Sequence, residues 1–124
     1  MVEANDAEQL KNQGNDAVKA KNFTHAIECY TKAISLKPEE HTYYSNRATA
    51  YQSMEMYNEA LADAEKCISI KEDFARGYQR KTQALVSLNR LDEAQTSCAK
   101  GLSLQADNKA LLDLQTEIQT KLKA

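Results

Sequence analysis

Twelve side chains, recurring in three sets at one fixed period, could carry the chemistry of this chain. They are Glu8, Lys11, Asn12 and Asn15; Thr42, Ser45, Asn46 and Thr49; and Arg76, Gln79, Arg80 and Gln83. The set holds three cations and one anion, in a chain whose net charge is −2, and every other member is an amide or hydroxyl. Lys11 and Asn15 stand four apart, as do Arg76 and Arg80, so each pair shares one helix face. Like charges at that spacing repel unless an anion lies between them, which makes Arg76 and Arg80 a candidate anion seat. A cationic, amide-rich stripe suits an extended anionic partner that also offers backbone groups to hydrogen-bond. The plainer reading is that such residues form a solvated face. It leaves their concentration on one stripe in all three sets unexplained.

The elements that position these residues follow from the same period. Asn22-Phe23-Thr24-His25-Ala26 aligns with Met56-Tyr57-Asn58-Glu59-Ala60 and with Arg90-Leu91-Asp92-Glu93-Ala94. Three units result, 7–40, 41–74 and 75–108, with a flexible stretch at 1–6 and a tail at 109–124. Within each unit the spacing predicts two helices around a short polar turn, Lys21-Asn22-Phe23 in the first. Ala26, Tyr30 and Ala33 recur at intervals of four and three, one face of a helix. Small residues at those sites let neighbouring helices approach closely, and Leu10, Tyr44 and Tyr78 fill the gaps between first helices. Pro38 stops the second helix of the first unit. In the tail, Ala110, Leu111, Leu114, Ile118 and Leu122 make one apolar stripe, as expected of a helix that closes the open end of a stack. With only 3 Gly and 1 Pro the chain has little to build hairpins from, so the predicted fold is all-α.

Composition also narrows the function. The charge balance gives no reason to seek nucleic acid, and no apolar run approaches the ~18 residues of a membrane span. Cys29, Cys67 and Cys98 are an odd, widely spaced set without a Cys-x-x-Cys, which fits a reducing, cytoplasmic setting. Cys67 and Cys98 fall on packing sites. His25 and His41 lack partners at metal-ligand spacing and are expected on the outer surface, so no metal and no cofactor are expected. Asp63 and Glu65 read as solubilising surface. No nucleophile–base set or phosphate loop is present, which points to a binding module, not an enzyme.

Spacing and residue types together resemble the tetratricopeptide (TPR) family: Leu10, Gly14, Ala26, Tyr30, Ala33 and Pro38 in the first unit, and Tyr44, Ala48, Tyr51 and Ala60 in the second. The resemblance implies a superhelix of three helix-turn-helix repeats with a C-terminal capping helix, first helices lining the concave side. The strings Leu10-Lys11-Asn12-Gln13-Gly14-Asn15, Tyr44-Ser45-Asn46-Arg47 and Gly77-Tyr78-Gln79-Arg80-Lys81 are similar to a narrower group, the carboxylate-clamp co-chaperones. Within it, the first TPR domains of the Hsp-organising (stress-inducible) co-chaperones are most alike, sharing the Leu88-Asn89-Arg90 turn. The phosphatase and small glutamine-rich TPR co-chaperones are also similar.

That resemblance implies that Lys11, Asn15, Asn46, Arg76 and Arg80 hold the terminal Asp of a Glu-Glu-Val-Asp tail, with Asn12, Thr49 and Gln83 as further groove contacts. Arg76 stands where the group usually has Lys; it keeps the charge but is planar and bulkier. The implied partners are C-terminal tails of the 70-kDa and 90-kDa heat-shock chaperones, the 70-kDa type favoured, bound by a monomer. Ser53 and Ser87 depart from the group farther along the groove, where partner choice is expected to lie. A scaffold that binds an internal segment, without reading a chain end, is the alternative.

Overall fold

The structure, a computed structural model, describes residues 3–124, with side chains from Asp6 onward. Seven helices follow one another: α1 Glu3–Lys19, α2 Phe23–Leu36, α3 His41–Ser53, α4 Tyr57–Ile70, α5 Ala75–Ser87, α6 Leu91–Leu104 and α7 Lys109–Lys123. Among the described residues there is no strand. The starts of α3, α5 and α7 are evenly spaced along the chain, and those of α2, α4 and α6 keep the same interval. Helix α1 begins at Glu3, inside the stretch 1–6 expected to be flexible. Residues 1 and 2 of that stretch lie outside the described residues.

Each helix packs against its neighbours in sequence, and α1, α3, α5 and α7 also pack on one another. No two even-numbered helices approach each other among the described residues. A stack that is tight on its odd side and open on its even side must curve, with the odd helices on the concave face.

Small side chains set the tight spacing inside each pair. Ala26, Ala33, Ala60, Ala64 and Ala94 are buried, and Tyr30, Leu85, Leu111 and Ile118 fill the space between helices. Tyrosines tie successive units together. The Tyr44 hydroxyl donates to the Pro38 carbonyl at 2.9 Å, and one repeat later the Tyr78 hydroxyl donates to that of Glu72 at 3.0 Å.

Helices α1, α3 and α5 each end in a Schellman turn. Asn22 N–H donates to Ala17 O (2.8 Å) and Lys21 N–H to Val18 O (2.9 Å), and the pattern repeats at Met56–Tyr51 with Glu55–Gln52, and at Arg90–Leu85 with Asn89–Val86. Such a turn requires a left-handed residue, and here Lys21, Glu55 and Asn89 take it, with φ of 62°, 61° and 60°. All three glycines lie inside helices instead.

Helix α7 covers the last repeat mainly through Leu111 and Ile118, 0% and 1% exposed, with Leu114 half-buried. Leu122, expected on the same stripe, is 43% exposed, because the helix outruns the surface it caps. Asp63, expected on the outer surface, is buried. It faces Arg47 on α3, sixteen residues away, and no helical period signals that partner. His41 is not on the open surface either: its ring meets Phe74 edge-on at 4.6 Å.

Candidate functional site

Asn15 from α1, Asn46 and Thr49 from α3 and Arg80 from α5 line one recess of about 290 Å³ on the concave face. Val18, Lys19 and Tyr30 complete its wall. The amides are joined: Asn46 Nδ2 donates to Asn15 Oδ1 at 3.4 Å, and the buried Tyr30 hydroxyl donates to the same oxygen. Burial first, and Cys29 second, push the Tyr30 pKa up to about 12, so the phenol keeps its proton throughout the physiological range.

Two cations line this recess, Lys19, which is exposed, and Arg80, which is half-buried. Arg80 Nη1 donates to Gln83 Oε1 at 3.2 Å, while its Nε is buried without a hydrogen-bond partner. No carboxylate pairs with it among the described residues. Burial and, after it, the nearby Arg76 pull its pKa below the ordinary arginine value. Both causes penalise the charged form, and an anion in the recess would relieve both. Arg80 thus brings a half-buried guanidinium with no carboxylate partner into the same recess as the joined Asn15 and Asn46 amides.

The other expected residues surround this recess without lining it. Lys11 is half-buried and paired with Glu8, Nζ to Oε2 at 3.0 Å. Arg76 is exposed at the start of α5, 5.9 Å from the Phe74 ring centroid. It lines a second recess, of about 370 Å³, with Phe74, Gln79, Gln105 and Asn108. The two arginines of the expected anion seat thus sit one turn apart and open onto different recesses. Asn12 is exposed. Gln83 lines a third recess with Gln52 and Ser87, bridged by Gln52 Nε2 to Ser87 Oγ at 2.8 Å. Ser45, read as a groove position, is 1% exposed and bonded to the Thr42 carbonyl. It points inward, against Cys67 of α4.

Three wall residues, Val18, Lys19 and Tyr30, were not among the groove positions expected from the sequence. Tyr30 counted only as packing, although a tyrosine among small residues carries a polar end that needs a partner. Lys19 lies four residues beyond Asn15 on α1, a spacing that extends the same stripe.

A family profile described as "Serine/threonine-protein kinase BSK1-like, TPR repeats" matches residues 1–84, and a tetratricopeptide-repeat profile matches 75–108. The chain belongs to the tetratricopeptide-repeat family. A human protein, small glutamine-rich tetratricopeptide repeat-containing protein beta, is 44% identical over 59 residues, 48% of this chain. That match spans 19% of the relative's length. Two solved TPR structures are similar along nearly the whole chain. The first TPR of Spaghetti (RPAP3), bound to the HSP90 peptide SRMEEVD, is 27% identical with a TM-score of 0.93, covering 97% of this chain and 95% of that one. The second TPR domain of human RPAP3, in complex with the HSP70 peptide SGPTIEEVD, is 28% identical with a TM-score of 0.91, covering 95% and 98%. This TPR chain is therefore homologous to TPR domains of co-chaperones, and among its described residues no helix is long and apolar enough to cross a membrane.

Proposed function

We propose that this TPR chain is a non-catalytic adaptor module whose concave face binds the free C-terminal end of an acidic peptide, the Glu-Glu-Val-Asp tail of a heat-shock chaperone. The observation that carries the reading is the half-buried Arg80 guanidinium, which has a buried, unbonded Nε and no carboxylate partner among the described residues, in one recess with the Asn15–Asn46 amide pair. A chain end that finishes in Asp offers two carboxylates, and an internal Asp only one. Arg80, Lys11 and Arg76 supply charge-assisted bonds, while Asn15 and Asn46 donate amide protons. Asn12, Thr49 and Gln83 contact the peptide upstream. The similar RPAP3 structures, holding peptides that end in Glu-Glu-Val-Asp, support the same chemistry for this groove.

Lys11 joins such a clamp by exchanging Glu8 for the peptide carboxylate, a switch between ion pairs that is cheap at an exposed site. Resemblance to the Hsp-organising group favours the 70-kDa chaperone over the 90-kDa one. Titrating the monomeric protein with SGPTIEEVD and SRMEEVD side by side tests the choice. Tighter binding of the first supports it; equal or reversed affinities refute it.

A further inference from the structure

The Tyr30–Asn15 pair has a consequence for how the groove donates. An asparagine amide is two-faced: turned over, it presents oxygen where it had presented NH₂, and only NH₂ can serve a carboxylate. Something must therefore choose the face that Asn15 turns to the recess. In the structure its Oδ1 accepts from two donors, the Tyr30 hydroxyl and Asn46 Nδ2, which leaves its Nδ2 for the recess. Tyr30 belongs to α2, on the convex layer, and is 1% exposed, so water does not satisfy its O–H. Were the Asn15 amide reversed, Asn46 could reverse with it, but the buried phenol proton would lose its acceptor. An unpaired buried donor costs about 1–3 kcal/mol.

The approach of the ring depends on Gly14. A Cβ there would stand 2.5 Å from one Tyr30 ring carbon and 2.8 Å from two others. A missing side chain on α1 thus lets an aromatic from α2 pass beneath the helix and reach the residue next along.

We infer that Tyr30 is a positioning residue for the peptide site: its buried hydroxyl sets the Asn15 amide with its N–H groups toward the ligand carboxylate. This rests on the terminal-carboxylate reading above and deepens it. It assigns a binding role to the convex layer, which reaches this recess through Tyr30.

Tyr30→Phe removes the hydroxyl and keeps the ring. Two readouts are taken on the whole protein: the Asn15 side-chain amide resonances by NMR, and affinity for SGPTIEEVD as free acid and as amide. The expected result is a shifted Asn15 amide pair, an unchanged fold, and a loss of about three- to ten-fold for the free acid. In an Asn15→Ala background Tyr30→Phe should cost nothing further, whereas a merely structural role would cost the same in both backgrounds. Unmoved Asn15 resonances, or an equal loss in both backgrounds, overturn the inference. Moved resonances in a protein that binds acid and amide alike overturn the terminal-carboxylate reading instead, and leave the Tyr30–Asn15 coupling standing.

Discussion

The Arg47 guanidinium holds the Asp63 carboxylate through two bonds, Nε to Oδ2 at 2.7 Å and Nη2 to Oδ1 at 2.8 Å. Its third nitrogen donates to Thr31 Oγ1 at 3.0 Å, so one side chain on α3 joins α2 and α4. The hydrogen bond to Asp63 is the main reason the Arg47 pKa rises above its ordinary value. This is a fork-to-fork pair, with the Asp63 side chain only 7% exposed. Removing one partner of a buried pair costs about 3–5 kcal/mol, because the other charge stays behind. Asp63→Ala should lie at the low end, since Arg47 remains 18% exposed. Urea denaturation checks this, with Thr31→Ala as a control expected to cost under about 1 kcal/mol.

The left-handed turn residues offer the opposite sign. A non-glycine residue in that conformation costs about 1–2 kcal/mol, partly offset because glycine loses more freedom on folding. Glu55→Gly and Lys21→Gly should each stabilise by about 0.5–1 kcal/mol, raising the urea midpoint without changing the slope. Asn89→Gly should gain less, asparagine tolerating the conformation better.

Glu8 competes with any ligand for Lys11. Glu8→Gln frees the ammonium, and an exposed pair is worth about 0.2–1 kcal/mol. Affinity for a free-acid peptide should rise up to about five-fold, and it should fall more steeply with added salt. Calorimetric titration at two salt concentrations reads both.

The capping helix sorts its leucines. Leu111→Ala should cost about 2–5 kcal/mol, as its side chain is fully buried against α6 beside Gly101. Leu122→Ala should change the melting temperature little, and truncation after Asn108 should lower it sharply or cause aggregation.

Gly14→Ala gains about 0.5–1 kcal/mol of helix propensity but drives a methyl into the Tyr30 ring, three of whose carbons would lie within 2.8 Å of it. Overpacking of that kind costs about 1–3 kcal/mol. Net destabilisation with weakened peptide binding is expected, measured by melting and titration together.

The helix plan was legible because it is periodic: the starts at His41, Ala75 and Lys109 keep the register of the sequence repeat. The small packing residues Ala26, Ala60 and Ala94 were legible for the same reason. What failed is what no short period encodes. Asp63 turns inward because Arg47 meets it across helices, and Ser45 because it packs on Cys67 of α4. The Schellman turns lack their usual glycine, so Lys21 and Glu55 carried no signal. Of the site, the alignment of Asn15, Asn46, Thr49 and Arg80 on one face was readable from helix geometry. The Tyr30 bond and the separate recess at Arg76 were not, since both depend on how second helices and interhelix turns lie in space.

Calorimetric titration of wild type and Arg80→Ala with a Glu-Glu-Val-Asp peptide, as free acid and as C-terminal amide, shows whether the groove reads a chain end. A charge-assisted hydrogen bond contributes about 1.5–3 kcal/mol, a large share of the ~8 kcal/mol available at micromolar affinity. Wild type should prefer the free acid by about ten-fold or more, Arg80→Ala should bind it at least ten-fold more weakly, and the variant's melting temperature should stay close to wild type. Equal affinity of wild type for acid and amide would rule out a terminal-carboxylate site, and the groove would then be a scaffold for an internal segment.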